Sequence, residues 1–167
     1  MTTRAELAEL AQTPDGLRQI DAMAGKAFGF TPKVIWGAGH EDKNGWYIST
    51  RPWGAFKDKS EVKKWIAEHP VIDGKPVVLQ SVEDWPDFTS SIADAWQLVE
   101  KINGKDSRNI SISHSPCSDK WTVMFLAYRK RGTSTFVVNR DAHAEAATAP
   151  LAITIAALLA VEQKEKA

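Results

Sequence analysis

Apolar positions recur along this chain with two different periods, and the switches between them outline its elements. Residues 4–12 (RAELAELAQ) set Leu7, Leu10 and Ala11 on one helical face. Thr13-Pro14-Asp15-Gly16 interrupts the pattern and offers Thr13 or Asp15 as the next N-cap. A second helical stripe follows in Leu17, Ile20, Met23 or Ala24, and Ala27, ending at Gly29. Thr31-Pro32 closes it, because the residue before a proline is pushed out of helical geometry. The runs 33–37 (KVIWG) and 45–50 (GWYIST) read as strands on either side of the turn-rich GHEDKNG. Asn44-Gly45 is a hairpin signal inside a connection longer than two residues. After the connector RPWGAF, Ser60 stands as the N-cap of an amphipathic helix that Pro70 ends. Lys63 occupies the position where a capping box would use Glu. PVVLQS, residues 76–81, predicts a further strand.

The second half repeats this logic more cleanly. Residues 87–102 (DFTSSIADAWQLVEKI) space Ile92, Ala95, Trp96, Val99 and Ile102 as one helical face behind a Thr89, Ser90 or Ser91 cap. Asn103-Gly104 is placed to stop that helix. Three strands are expected next, at 109–113, 120–128 and 133–138, separated by turns containing Pro116 and Gly132. Residues 144–163 (AEAATAPLAITIAALLAVEQ) then form the last helix, uncharged from Ala146 to Val161. Spanning a membrane takes about 20 mostly apolar residues, and this run is shorter and rich in weakly apolar alanine. With Thr148 upstream, Pro150 suits a helix first turn, whereas a start at Asp141 would make it a kink. Leu151, Ile155, Leu158 and Leu159 line one face, and Ile153 and Val161 spread the apolarity around the helix. Such a helix is expected to be covered on most sides by a sheet and by the N-terminal helices.

Composition narrows the class. The chain has 167 residues, enough for one domain carrying an insertion, with 43% hydrophobic and 25% charged residues. Lys+Arg and Asp+Glu both number 21, so no basic excess points to nucleic acid or to an anionic membrane. Arg129-Lys130-Arg131, read as a solvated hairpin turn, is the main local basic patch. Cys117 is the only cysteine, which excludes an intrachain disulfide and suits a reducing cytoplasm. The N-terminus MTTRAELAEL carries acids where a signal peptide needs an apolar run, so a soluble cytoplasmic protein is expected. Seven tryptophans are scattered rather than periodic, as core anchors are, although they also suit an aromatic-lined pocket.

The segments DFTSSIADAWQLVEKI, KWTVMFL and ATAPLAITIAALLA together resemble the phage ABA sandwich domain family. The likeness lies in a Phe-Thr-Ser-Ser helix start with an alanine-rich seam and in a closing alanine/leucine helix. IDAMAGKAFGF resembles the opening helix of that family, with its Ile-Asp start and Phe-Gly end. The resembling segments are about 17–30 and 87–162; Trp96 and Ala149-Pro150 depart from the usual pattern. The resemblance implies a bacteriophage or prophage accessory protein in the bacterial host cytoplasm. It also implies an α+β fold, an α-β-α sandwich on an antiparallel sheet, with a helix–three-strand–helix C-terminal half. The whole chain, 1–167, then reads as a single domain with an insertion at 31–86.

No catalytic constellation is complete. His114 and Cys117 form a His-x-x-Cys pair with Asp119 behind, but zinc needs four ligands and no second close pair exists. Cys117 with His114 or His143 is no signature of a nucleophile and its base. Asp84, Asp87 and Asp94 read as loop and cap acids, and Gly37-Ala38-Gly39 runs into His-Glu-Asp, which opposes a phosphate. Neither catalytic residues, a metal nor a cofactor are therefore expected. The order of elements in 89–163 is also that of double-stranded-RNA-binding domains, a weaker alternative. Asp141, His143 and Glu145 stand where those domains put lysines. The leading expectation is a non-enzymatic phage accessory protein that binds a host protein, modulating host or defence functions. A small-ligand or nucleotide-binding module is the alternative, and homo-oligomers are compatible with the sequence. In both readings the binding residues are Trp36, Trp46, Tyr47, Arg51, Trp53 and Lys57, with Lys43 and Phe56 beside them, because Trp, Tyr and Arg dominate hot spots.

Overall fold

A computed structural model describes residues 3–42, 47–106, 109–131, 134–139 and 142–165. The chain divides into two compact units, Met1–Thr31 with Trp85–Ala167, and Pro32–Asp84. Both combine helices with antiparallel strands, so the fold is α+β.

The first unit opens with α1 (Arg4–Leu10) and α2 (Pro14–Ala27). Thr3 and Glu6 close a reciprocal capping box on α1, with Glu6 held below the usual carboxylate range by hydrogen bonds from Thr3. Thr13 caps α2 through Gly16 N–H at 3.0 Å, which settles the choice between Thr13 and Asp15. The buried stripe of α2 keeps Ile20 and Ala24, while Ala27 is exposed.

After the second unit the chain re-enters with α4 (Ile92–Asp106). Ser91 accepts at both its carbonyl, from Ala95 N–H, and its Oγ, from Asp94 N–H. The buried face is Ala95, Leu98, Val99 and Ile102; Trp96, expected in the core, is 42% exposed, and Ile92 is exposed as well. The helix also runs through Asn103-Gly104 instead of stopping there. A glycine inside a helix costs only about 1 kcal/mol, so Gly104 does not by itself end one.

Four strands follow, one more than expected: β6 (Asn109–Ser115), β7 (Lys120–Arg131), β8 (Ser134–Asn139) and β9 (His143–Ala146). β6 and β9 flank the first part of β7, and β8 pairs with its last five residues, with an irregularity between Ala127 and Tyr128. Arg129-Lys130-Arg131 thus lies in a strand paired with β8, and not in the hairpin turn expected from the sequence. Helix α5 (Ala149–Glu165) starts after Thr148, whose carbonyl accepts from Ala152 N–H, so 144–147 is strand and bend rather than helix. Pro150 therefore sits in the first turn, where its missing N–H leaves no orphan. Every residue from Leu151 to Ala160 is buried, because α5 meets β7, β9, α4, α2 and α1. No described helix is long and apolar enough to cross a membrane.

The two motifs singled out at Ile20-Asp21 and Phe88-Thr89 meet in this core. Thr89 N–H donates to Asp21 Oδ1 at 2.8 Å and its hydroxyl to Oδ2 at 3.1 Å, all buried. On α5, the buried Thr154 Oγ lies 2.8 Å from the Phe88 carbonyl and 2.9 Å from that of Pro150. The turn before α4 is thereby tied to both α2 and α5. Burial raises the Asp21 carboxyl to about 6, against the pull of its Thr89 hydrogen bonds and with help from Asp87 and Asp94. Its folded value lies above the unfolded one, so the folded chain holds a proton that the unfolded chain releases. Stability from this group is full below the unfolded value of 3.8 and is lost as pH rises through about 6. The span corresponds to on the order of 3 kcal/mol. Asp21→Asn keeps an acceptor for Thr89 N–H, so urea titrations between pH 4 and 7 should show its stability changing less with pH than the parent's. Parallel pH profiles for the two proteins would refute the assignment.

The second unit holds β1 (Lys33–Glu41), β2 (Tyr47–Ser49), α3 (Lys59–Glu68), the short β3 (Val71–Ile72) and β4 (Lys75–Pro76), and β5 (Val78–Asp84). β1 is longer than expected, taking in Gly39, His40 and Glu41, and lies between β2 and β5. Residues 43–46, including Asn44-Gly45, lie outside the described residues. Asp58, rather than Ser60, caps α3, accepting from Ser60 N–H at 2.7 Å and Glu61 N–H at 3.0 Å. Those bonds, together with the Ser60 hydroxyl, lower the Asp58 pKa. Glu61 reaches back to Lys57 N–H, so the acid missing at position 63 is supplied two residues earlier. Asp73-Gly74, both at positive φ, turns β3 into β4, a local signal that the sequence reading passed over. Ala38, Phe56, Val62 and Val77 form a small separate core, with Trp36, Trp65, Ile66, Ile72 and Leu79 around it.

Candidate functional site

The expected binding residues gather in the second unit for reasons of packing. Thr50 donates from both N–H and hydroxyl to the Ala38 carbonyl, at 2.9 and 2.7 Å, and so draws the chain after β2 along β1. Ser49 hydroxyl donates to the Arg51 carbonyl. The Arg51 guanidinium then sits 5.4 Å from the Trp65 ring centre and 5.7 Å from that of Phe56. Phe56 and Trp65 meet edge to face at 5.9 Å, and His69 stacks on Trp65 at 4.5 Å and 15°. The result is a cluster in which Trp65 meets Arg51, His69 and the buried Phe56.

Trp53 covers Gly37 of β1: a Cβ there would stand 2.8 Å from its ring, so only glycine allows this approach. Trp53 nonetheless remains 41% exposed. Trp36 is half-buried at the core margin, with Lys59 Nζ 5.3 Å from its ring centre. Phe56 belongs to the core outright. Lys57 is exposed beside the α3 cap, and its backbone serves Glu61. Tyr47 opens β2 opposite Glu41, while Trp46 and Lys43 lie outside the described residues. The structure thus brings Arg51 to Phe56, puts Trp36 in β1 and packs the Trp53 ring over Gly37 of that strand. It adds Trp65 and His69, which the sequence reading did not name; their i, i+4 spacing on α3 is the signal that could have found them.

His40 of β1 is buried, and its Nδ1 has no hydrogen-bond partner among the described residues. His114 and Asp119 form an exposed pair at 3.2 Å, with Cys117 exposed in the intervening turn. Among the described residues no group of three or more His, Cys, Asp or Glu is arranged to hold a metal ion. Asp87 and Asp94 are tied to each other through Asp87 N–H at 3.1 Å, in keeping with their reading as loop and cap acids.

The first unit carries a groove of about 570 Å³ that no sequence pattern announced. Its apolar lining is Ala8 of α1 and the cap residue Ala11 after it, Ala144 and Ala146 of β9, and Leu151 and Ile155 of α5. Arg4, Gln12, Lys120, His143 and Glu145 supply its polar groups, with His143 and Glu145 3.7 Å apart. Its walls are contributed by segments more than a hundred residues apart in sequence, which is why local reading misses it.

This arrangement of helices around an antiparallel sheet, closed by an alanine-rich helix, has a counterpart in a known family. Residues 45–158 match the phage ABA sandwich domain. The chain belongs to the phage ABA sandwich domain family. The ABA sandwich match takes in α4, the four strands after it and much of α5. It also includes most of the 31–86 stretch, while residues 17–30, part of the initial resemblance, lie outside it. No curated protein and no solved structure matches the chain.

Proposed function

We propose that the protein is a non-enzymatic phage accessory factor that binds a host protein through the Arg51–Trp53 surface of its second unit. The observation that carries the reading is Trp53, a large aromatic ring left 41% exposed on a strand that has a glycine beneath it to receive it. Arg51 above Phe56 and Trp65 sets a guanidinium beside that ring in sequence, the residue types that anchor protein interfaces. The test is capture of a host protein from host-cell lysate by the tagged chain and by Arg51→Ala and Trp53→Ala variants. Loss of one specific captured protein, with thermal midpoints of the variants unchanged, is the expected outcome. Variants that stay folded and capture the same protein as the parent would defeat the proposal.

A second reading, a small-ligand or nucleotide-binding module, draws support from the groove of the first unit. Its size falls within the range of ordinary ligand pockets, and its apolar floor carries a few polar groups. Thermal-shift measurements across nucleotides and small organic acids should give a midpoint rise that Leu151→Trp abolishes, if this reading holds.

A further inference from the structure

We infer that the outer edge of β5 receives an extended segment of a partner protein, which adds to the three-stranded sheet as a fourth strand. The segment carries a basic residue opposite Asp84 and an apolar residue opposite Val82. This inference rests on the reading of the protein as a protein-binding factor, and it specifies a mode of recognition.

β5 runs for seven residues, Val78–Asp84, at the end of the order β2–β1–β5. Among the described residues its strand partner is β1 alone. An edge strand presents main-chain donors and acceptors to any chain that can lie extended beside it. Proteins usually blunt such edges with charged side chains, proline or a bulge. β5, VLQSVED, contains no proline, its charges Glu83 and Asp84 stand together at one end, and its register against β1 is unbroken from Lys33↔Asp84 to Gly39↔Val78. Its side chains alternate. Leu79 points towards the small core with Ala38, its partner on β1. On the other face Val78 and Val82 are 41% and 47% exposed. Two β-branched side chains, four residues apart on one exposed strand face, leave apolar surface for a cross-strand neighbour to cover.

The pairing with β1 shows which side chains β5 accepts. β1 sets Lys33 opposite Asp84 and Ile35 opposite Val82. A strand arriving at the free edge meets the same row of β5 side chains from the other side, so the same chemistry suits it: a cation at the Asp84 end and an apolar residue two positions on. A second copy pairing β5 with β5 antiparallel fits less well, because it would set Asp84 near Val78 with no cation to meet either acid.

The probe is the synthetic peptide KVIWGAG, which copies residues 33–39, the segment that β5 pairs with on its inner side. Fluorescence anisotropy of the labelled peptide with the full chain should show saturable binding, and amide hydrogen exchange should slow at 78–84. Val82→Lys should weaken binding by at least about fivefold, as a charge replaces an apolar cross-strand pair. Asp84→Lys should weaken it too, and the charge-reversed peptide EVIWGAG should restore binding to Asp84→Lys while binding the parent poorly. That exchange keeps the test sound even if Val82→Lys alters folding. Protection away from 78–84, equal binding of both peptides to the parent, or a chain that dimerises through β5 without taking up peptide would overturn the inference. Host-protein capture and peptide binding are read separately, so failure of the Arg51–Trp53 proposal and failure of this one give different results.

Discussion

Phe88→Ala is expected to cost about 3–5 kcal/mol of folding stability, as deletion of a fully buried aromatic ring does. Phe88 has no exposed surface, and its ring centre lies 5.1 Å from that of Phe30 at 58°. Its carbonyl accepts from Thr154 on α5, and its neighbour Thr89 holds Asp21 on α2. The ring therefore fills the point where three segments, distant in sequence, are tied by hydrogen bonds. Removing it forfeits the burial, leaves a cavity, and loosens the turn that aligns those bonds. For a domain of ordinary stability, about 5–15 kcal/mol, the loss is a large part of the whole. Urea denaturation followed by near-ultraviolet circular dichroism reads it directly. Phe88→Leu keeps most of the volume and should cost clearly less. A cost for Phe88→Ala below about 1 kcal/mol, the level of a typical point substitution, would mean that this turn is not part of the core.

Leu158→Ala is expected to cost about 2–5 kcal/mol, from lost apolar burial plus the cavity left in α5. Leu158 is buried within a helix whose described residues from Leu151 to Ala160 all are, so no flexible surface segment can close over the gap. Trp96→Ala on α4 serves as the comparison, since Trp96 is a far larger side chain but stands 42% exposed. The structure expects Leu158→Ala to be the more damaging of the two in the same denaturation experiment. The reverse order would restore Trp96 to the core face that sequence periodicity gave it.

That contrast shows where sequence was sufficient. The uncharged run from Ala146 to Val161 announced a covered helix, and α5 is buried from Leu151 to Ala160. Thr148 and Pro150 marked one of its two readable starts, and the first turn lies there. What concealed β9 was alanine. Ala144 and Ala146 are buried while His143 is half-buried and Glu145 exposed, the alternation of a strand, but alanine's helical preference reads the segment into the following helix. On α4 both Trp96 and Leu98 are apolar, and local spacing alone gives no reason to prefer the face that carries Leu98.

Of the candidate sites, the sequence supplied residue types and the folded chain supplied neighbours. Arg51 and Trp53 were legible as interface residue types, yet nothing local pairs Arg51 with Trp65, fourteen positions on. That pairing exists because α3 packs across the sheet and carries Trp65 to the turn after β2. The groove beside α1 and the free edge of β5 were likewise beyond reach, since both depend on which segments lie side by side.

By itself, then, the sequence determined most of the alternation of helix and strand, the covered state of α5, the zero net charge and the pair of cap candidates, Thr13 and Asp15, before α2. These are set by residues within a few positions of one another, where side-chain periodicity and backbone hydrogen bonding act directly. Only the tertiary structure decided which face of α4 is buried, that Asp21 meets Thr89, that β9 joins the sheet, and that β5 is left at an edge. Those outcomes come from competition among apolar surfaces far apart in the chain, and burial selects the combination that covers the most of them while leaving the fewest polar groups unpaired.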